Sequence, residues 1–177
     1  MQRQIQEETT MTKVAPALHP HFRPIQRLQL MTMPRHDAYE ARGKPEPGVC
    51  EDCGVVWSKG HWHWGAAPAQ TGRLLCPACR RIREHAPAGF LRLSGPALAR
   101  DRAELLALLN NHAQRERGEH PLQRIMAVED DGEAVVVTTT DIHLARGLGD
   151  ALYAARRGEL DYRYNDNEHL LYVHWQG

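Results

Sequence analysis

The chain's only four cysteines fall as two C-x-x-C pairs, Cys50 with Cys53 in V-C-E-D-C-G and Cys76 with Cys79 in L-C-P-A-C-R-R. Twenty-two residues separate the pairs and no thiol is left over, a spacing that fits one tetrahedral four-thiolate metal site. Each pair reads as a short turn that brings two sulfurs to one side of an ion, and Gly54 gives the first turn its backbone freedom. Two disulfides would need an oxidising compartment, and the opening Met-Gln-Arg-Gln-Ile-Gln-Glu-Glu has no apolar stretch to direct the chain there. A thioredoxin-like redox pair accounts for one C-x-x-C but not two. Iron accepts the same ligands, but Arg80 stands where a second turn glycine would sit, and zinc is the commoner occupant of structural four-cysteine sites. Zinc is the expected metal. With four thiolates around it no coordination place remains for substrate, so it is expected to staple the fold rather than catalyse.

Composition bounds the rest. The 177 residues carry 22 Lys and Arg against 22 Asp and Glu, so no bulk charge draws the chain to nucleic acid or membrane. No apolar run approaches the roughly 18 to 20 residues of a spanning helix, and the expectation is a soluble, cytoplasmic protein without membrane contact. The neutral total is uneven: residues 1–86 hold 12 basic against 8 acidic side chains, and residues 87–177 hold 10 against 14. Four thiolates on a divalent ion remove two charges from the first half, which leaves a small basic excess and a modest electrostatic case for an RNA partner.

The chain divides into three. Residues 1–45 contain Pro16, Pro20, Pro24, Pro34 and Pro45 among polar residues with no sustained apolar period, and read as a flexible, mildly basic tail. Its stretch from Phe22 to Met31 is expected to order on a partner. Residues 46–86 read as a zinc ribbon: Val55 to Trp64, broken at Ser58-Lys-Gly60, is a β-hairpin, and a small-residue loop leads back to the second cysteine pair. Some forty residues cannot build a self-sufficient core, which the metal offsets.

Residues 87–177 read as a compact α/β unit. Phe90–Leu93 is a short strand, and Pro96 opens a helix running to about Arg117. Two strands flank Asp130-Asp-Gly132 as a hairpin. A second helix begins at Asp141, carries Leu144, Leu148 and Leu152 at helical spacing, and stops at Gly158. Leu160–Tyr164 and His169–Trp175 are the closing strands. The order β-α-β-β-α-β with one extra strand is the ferredoxin-like split β-α-β pattern, so the fold class expected is α+β.

Candidate binding residues cluster near the metal. Arg80, Arg81 and Arg83 follow the second cysteine pair, and the hairpin offers Lys59, His61, Trp62, His63 and Trp64. Guanidinium groups beside aromatic faces can bind phosphate and stack on bases, as single-stranded RNA sites do. The alternative is that the tryptophans pack the small ribbon and the arginines are solvated. His61 and His63 face one way in a strand, but four cysteines already fill the metal site. Thr138-Thr-Thr-Asp141 marks a strand-to-helix turn and reads as a helix cap rather than an anion site. His120 and His143 lack a nucleophile or carboxylate constellation, and no phosphate-binding glycine motif is present. No enzymatic activity and no small-molecule substrate are expected.

His36 to Lys44, the P-E-P-G-V-C-E-D-C-G turn, C-P-A-C-R-R-I, Glu119 to Met126 and Thr138 to Arg146 together resemble a family of small bacterial zinc-ribbon proteins. That family is similar to the N-terminal part of the adaptor for nuclear export of the large ribosomal subunit, the nonsense-mediated-decay protein three family. The bacterial resemblance covers about residues 36–175. It implies a ribosome- or RNA-associated adaptor in which Cys50, Cys53, Cys76 and Cys79 hold zinc. The export adaptor has more paired cysteines and further domains, and bacteria have no nuclear export, so the ribosomal link is an analogy. The functional expectation is a non-enzymatic zinc adaptor for ribosomal RNA or a ribosomal particle. Beside it stands a protein-interaction module anchored by Trp57, Trp62 and Trp64.

Overall fold

The structure is a computed structural model that describes Phe22–Gln26, Tyr39 and residues 46–177. Among them ten strands and three helices form a mixed α+β arrangement with two sheets.

Short β-branched and aromatic runs build the smaller sheet. After β1 (Arg23–Pro24) come β2 (Gly48–Cys50), β3 (Val56–Ser58), β4 (His61–His63) and β5 (Gly72–Leu74). The last four pair in the order β4-β3-β2-β5, with β2 and β5 parallel and the other neighbours antiparallel. Lys59 and Gly60 turn the β3–β4 hairpin with φ of 51° and 76°, the left-handed pair that matches strand twist. The second cysteine pair is not a second turn like the first. It opens a helix, α1 (Pro77–Arg83), in which Cys76 is the N-cap, Pro77 stands at the first position and Arg80, Arg81 and Arg83 occupy the last turn.

The larger unit continues with β6 (Gly89–Ser94), α2 (Pro96–Glu119), β7 (Ile125–Asp131), β8 (Ala134–Thr139), α3 (Ile142–Arg156), β9 (Glu159–Asn165) and β10 (Leu170–Gln176). Asp141 caps α3, accepting bonds from the N–H groups of His143 at 2.7 Å and Leu144 at 3.1 Å. Both long helices pack on one face of a six-stranded sheet, over Leu91, Leu93, Val137, Leu171, Val173 and Trp175. Gly149 lets α3 sit this low: a Cβ there would lie 2.7 Å from Val173 Cγ1.

Strand order departs from the expected pattern. The sheet runs β1-β9-β10-β6-β8-β7, with β10 inserted between β9 and β6 and parallel to β6. A purely antiparallel four-stranded sheet with an added strand is therefore not what forms. The cause is composition. Leu170-Leu-Tyr-Val-His-Trp175 is far more apolar than Glu159-Leu-Asp-Tyr-Arg163, so the more apolar strand takes the interior place, where Leu171, Val173 and Trp175 are fully buried.

The expected tail is partly built into this sheet. Phe22–Gln26 runs along β9, with Arg23 opposite Tyr164 and Pro24 opposite Arg163, and Ile25 enters the main core. Proline is tolerated because β1 is an edge. The partner that orders Phe22–Gln26 is the chain itself. The remainder of the expected tail, apart from Tyr39, lies outside the described residues.

Candidate metal centre and the adjoining cleft

Cys50 ends β2, Cys53 lies in the turn after it, and Cys76 and Cys79 occupy the start of α1. The four Sγ atoms lie within 4.8 Å of one another, and Cys53 and Cys76 Sγ are 3.8 Å apart. Tetrahedral bonds of about 2.3 Å to zinc place sulfurs about 3.8 Å apart, so the donor set fits a four-thiolate ion. Backbone N–H groups point at the sulfurs, from Cys76 to Cys50 Sγ at 3.3 Å and from Cys79 to Cys76 Sγ at 3.4 Å. Val55, Ala78, Leu75 and Trp62 wrap the cluster. Among the described residues no other group of three or more His, Cys, Asp or Glu side chains closes to ligand distance. His61 and His63 stand apart from it: His63 Nε2 is 2.8 Å from Ser58 Oγ.

The α/β unit completes the site. Arg124, just before β7 and only 8% exposed, directs its guanidinium at the thiols, 3.2 Å from Cys79 Sγ and 3.1 Å from Cys53 Sγ. Burial works against its charge, yet the bonds and fields of Cys53, Cys76 and Cys79 together outweigh burial and raise its pKa. Hydrogen bonds from Cys76 and Cys79 hold the Cys53 thiol far below the usual range, while the bond with Cys53 pushes Cys79 up to about 11. A buried guanidinium facing three of the four sulfurs suits a centre that carries net negative charge when a divalent ion is bound. Arg124 was not among the residues singled out from sequence. A lone arginine before a strand has no periodicity to mark it, and the one signal was its place in Glu119-His-Pro-Leu-Gln-Arg124.

Two further contacts fix the cysteine module to the α/β unit. Leu122 packs on the cysteine core. At the hairpin end, Trp64 Nε1 donates to the Arg117 carbonyl at 2.7 Å, and the Arg117 guanidinium lies 5.4 Å from the Trp64 ring centre. Between these attachments lies a cleft of about 930 Å³. Trp57 and Trp62 form one wall, their rings 5.4 Å apart. The C-terminal half of α2 and one face of α3, from Ile142 to Ala154, form the other.

The expected RNA-binding residues are dispersed. Arg81 is buried, bonded through Nη1 to the Ala86 carbonyl at 3.0 Å and stacked 4.2 Å over the Tyr39 ring. Arg83 is exposed but pairs with Asp52 and, at 3.5 Å, Glu51. The three arginines therefore lie on a helix with divergent environments, not on one loop facing solvent. Lys59 and His61 are exposed at the hairpin turn and Trp64 is 37% exposed, while Trp62 is half-buried against the cysteine core. Of the expected set, His61, Trp62 and Arg81 line the cleft. No helix among the described residues is long and apolar enough to cross a membrane. Compared with known proteins, the chain matches no family model, no curated protein and no solved structure.

Proposed function

We propose that the protein is a non-enzymatic adaptor stapled by one zinc ion, and that it binds single-stranded RNA, free or in a ribosomal particle, in the cleft beside the metal. The observation that carries this reading is the closure of the metal site. Four sulfurs surround the ion position and Arg124 from the other unit seals it, so the ion has no open place for chemistry and its role is to hold the cleft walls together. Indole faces on one wall and guanidinium groups in the lining suit stacked bases, and the resemblance to ribosome-linked zinc-ribbon proteins points the same way.

A second reading, a site for a protein segment, is favoured by the near balance of fixed charge in the cleft: Arg81, Arg115 and Arg146 against Glu116, Glu119, Asp141 and Asp150. Ultraviolet crosslinking of the zinc-loaded protein in cell lysate separates the two. RNA attached through peptides containing Trp57, Trp62 or His143 is the expected result, with co-migration on a ribosomal subunit in a sucrose gradient. Protein attached at those peptides, with no RNA, replaces the first reading by the second.

A further inference from the structure

We propose that the cleft is a proton-dependent anion site, which takes RNA phosphates when its histidines are protonated and so draws protons from solution on binding. This rests on the RNA reading above. Four separate elements bring histidines to the cleft: His61 comes from β4, His120 from the end of α2, His143 from the first turn of α3 and His169 from the β9–β10 turn. A fifth, His112, comes from the middle of α2.

The fixed charges of the lining are partly engaged already and do not add up to a positive site. Arg146 is paired with Asp150 at 3.4 Å, Arg115 donates to His112 Nδ1 at 2.9 Å, and Arg81 is bonded to the Ala86 carbonyl. Asp141 already satisfies the first N–H groups of α3. Three arginines against two glutamates and two aspartates leave the lining at minus one. His112 is left out of this count: burial lowers its pKa against the opposing field of Glu116, and its Nδ1 is already used by Arg115. His61 and His120 are exposed; His143 and His169 are half-buried, with His169 Nδ1 3.0 Å from the Tyr164 hydroxyl. Protonating these four takes the lining from minus one to plus three. Histidine is the side chain whose charge changes in the physiological range, and an anion held among histidines favours their charged form. Affinity and proton uptake are then linked: each proton taken up strengthens binding roughly tenfold per unit fall in pH.

The test is fluorescence anisotropy of a labelled oligouridylate with the zinc-loaded protein, at fixed salt between about pH 8 and pH 6, with bound zinc measured at each point. Binding should tighten at least roughly tenfold over that range. The triple variant His61→Gln, His120→Gln and His169→Gln should lose most of that gain while keeping its zinc. Equal affinity across the range, or an unchanged pH slope in the triple variant, overturns the inference and leaves the RNA reading standing. Absence of binding at every pH overturns both. Binding of an oligoglutamate with this pH slope, in place of oligouridylate, assigns the cleft to an acidic protein segment and overturns the proposal as stated.

Discussion

Arg124 and Thr140 hold one another by both backbone and side chain. The Arg124 N–H donates to Thr140 Oγ1 at 2.9 Å, and the Thr140 N–H donates to the Arg124 carbonyl at 3.0 Å. Thr140 Oγ1 also donates to the Leu122 carbonyl at 2.6 Å. Since Thr140 precedes the cap of α3 and Leu122 packs on the cysteines, this knot ties the metal centre to the floor of the cleft.

Metal content is the first consequence. Purified protein should carry about one zinc per chain, and Cys53→Ser should lower that occupancy and open residues 46–86 to proteolysis while the α/β helices persist. Elemental analysis with limited proteolysis decides it. Iron with visible absorbance, or an intact metal-free module, contradicts the assignment.

Removing the guanidinium should weaken the metal without unfolding the sheet. Arg124→Met keeps bulk but leaves thiolate charge uncompensated, and zinc affinity should fall by about 10- to 100-fold, the usual cost of losing an outer partner. Competition with a chromophoric chelator measures it, and hydrogen exchange at residues 121–124 and 139–143 should quicken in parallel. Wild-type affinity would mean that Arg124 only fills space.

The three arginines of α1 should part company. Arg81→Ala removes a buried, bonded side chain and should cost roughly 1 to 3 kcal/mol. Arg80→Ala and Arg83→Ala should each cost less, since Arg80 is only half-buried and the ion pairs of Arg83 are exposed and contribute within about 1 kcal/mol. Urea midpoints of the zinc-loaded variants check this. Three equal effects would contradict the burial of Arg81.

Acid should destabilise the fold through two histidines. Burial lowers the pKa of His112 and of His174, which lies 2.8 Å from Ser94 Oγ, below the ordinary 6.5. A lowered folded pKa means that the unfolded chain binds more protons, so stability is full above 6.5 and declines as pH falls from there toward the folded values. The double variant His112→Gln and His174→Gln should show a shallower decline in urea titrations. Comparing variants isolates this from acid loss of metal. An equal or steeper decline in the variant would reject it.

Much of this was legible before the fold. Pro96, Asp141 and the Asp130–Gly132 turn punctuate the chain locally, and the helices and strands beside them fall where those signals place them. The cysteines announced their cluster because chelation by C-x-x-C depends on local spacing. Helix α1 was hidden because seven residues are too few for an apolar period, although Pro77 after Cys76 was a start signal. The place of β10 was hidden for another reason: strand order follows competition among distant segments for the interior, which no local window contains. The cleft was hidden likewise, since its walls come from segments far apart in sequence, β3 and β4 on one side and α2 and α3 on the other.

The central place of β10 bears on how the chain assembles. Its partners are β9, which immediately precedes it, and β6, some eighty residues earlier. Until residues 170–176 are available, β6 lacks a neighbour on one side, and Leu91, Leu93 and the underside of α3 have no Trp175 or Val173 to pack on. Hairpins β3–β4 and β7–β8 close locally and early, whereas joining the halves of the large sheet must wait for a distant parallel pairing, an intrinsically slow event. Folding speed is then governed by seven residues far from the metal, and a lesion at Trp175 would leave the four clustered cysteines capable of chelation within a chain that never finishes its core.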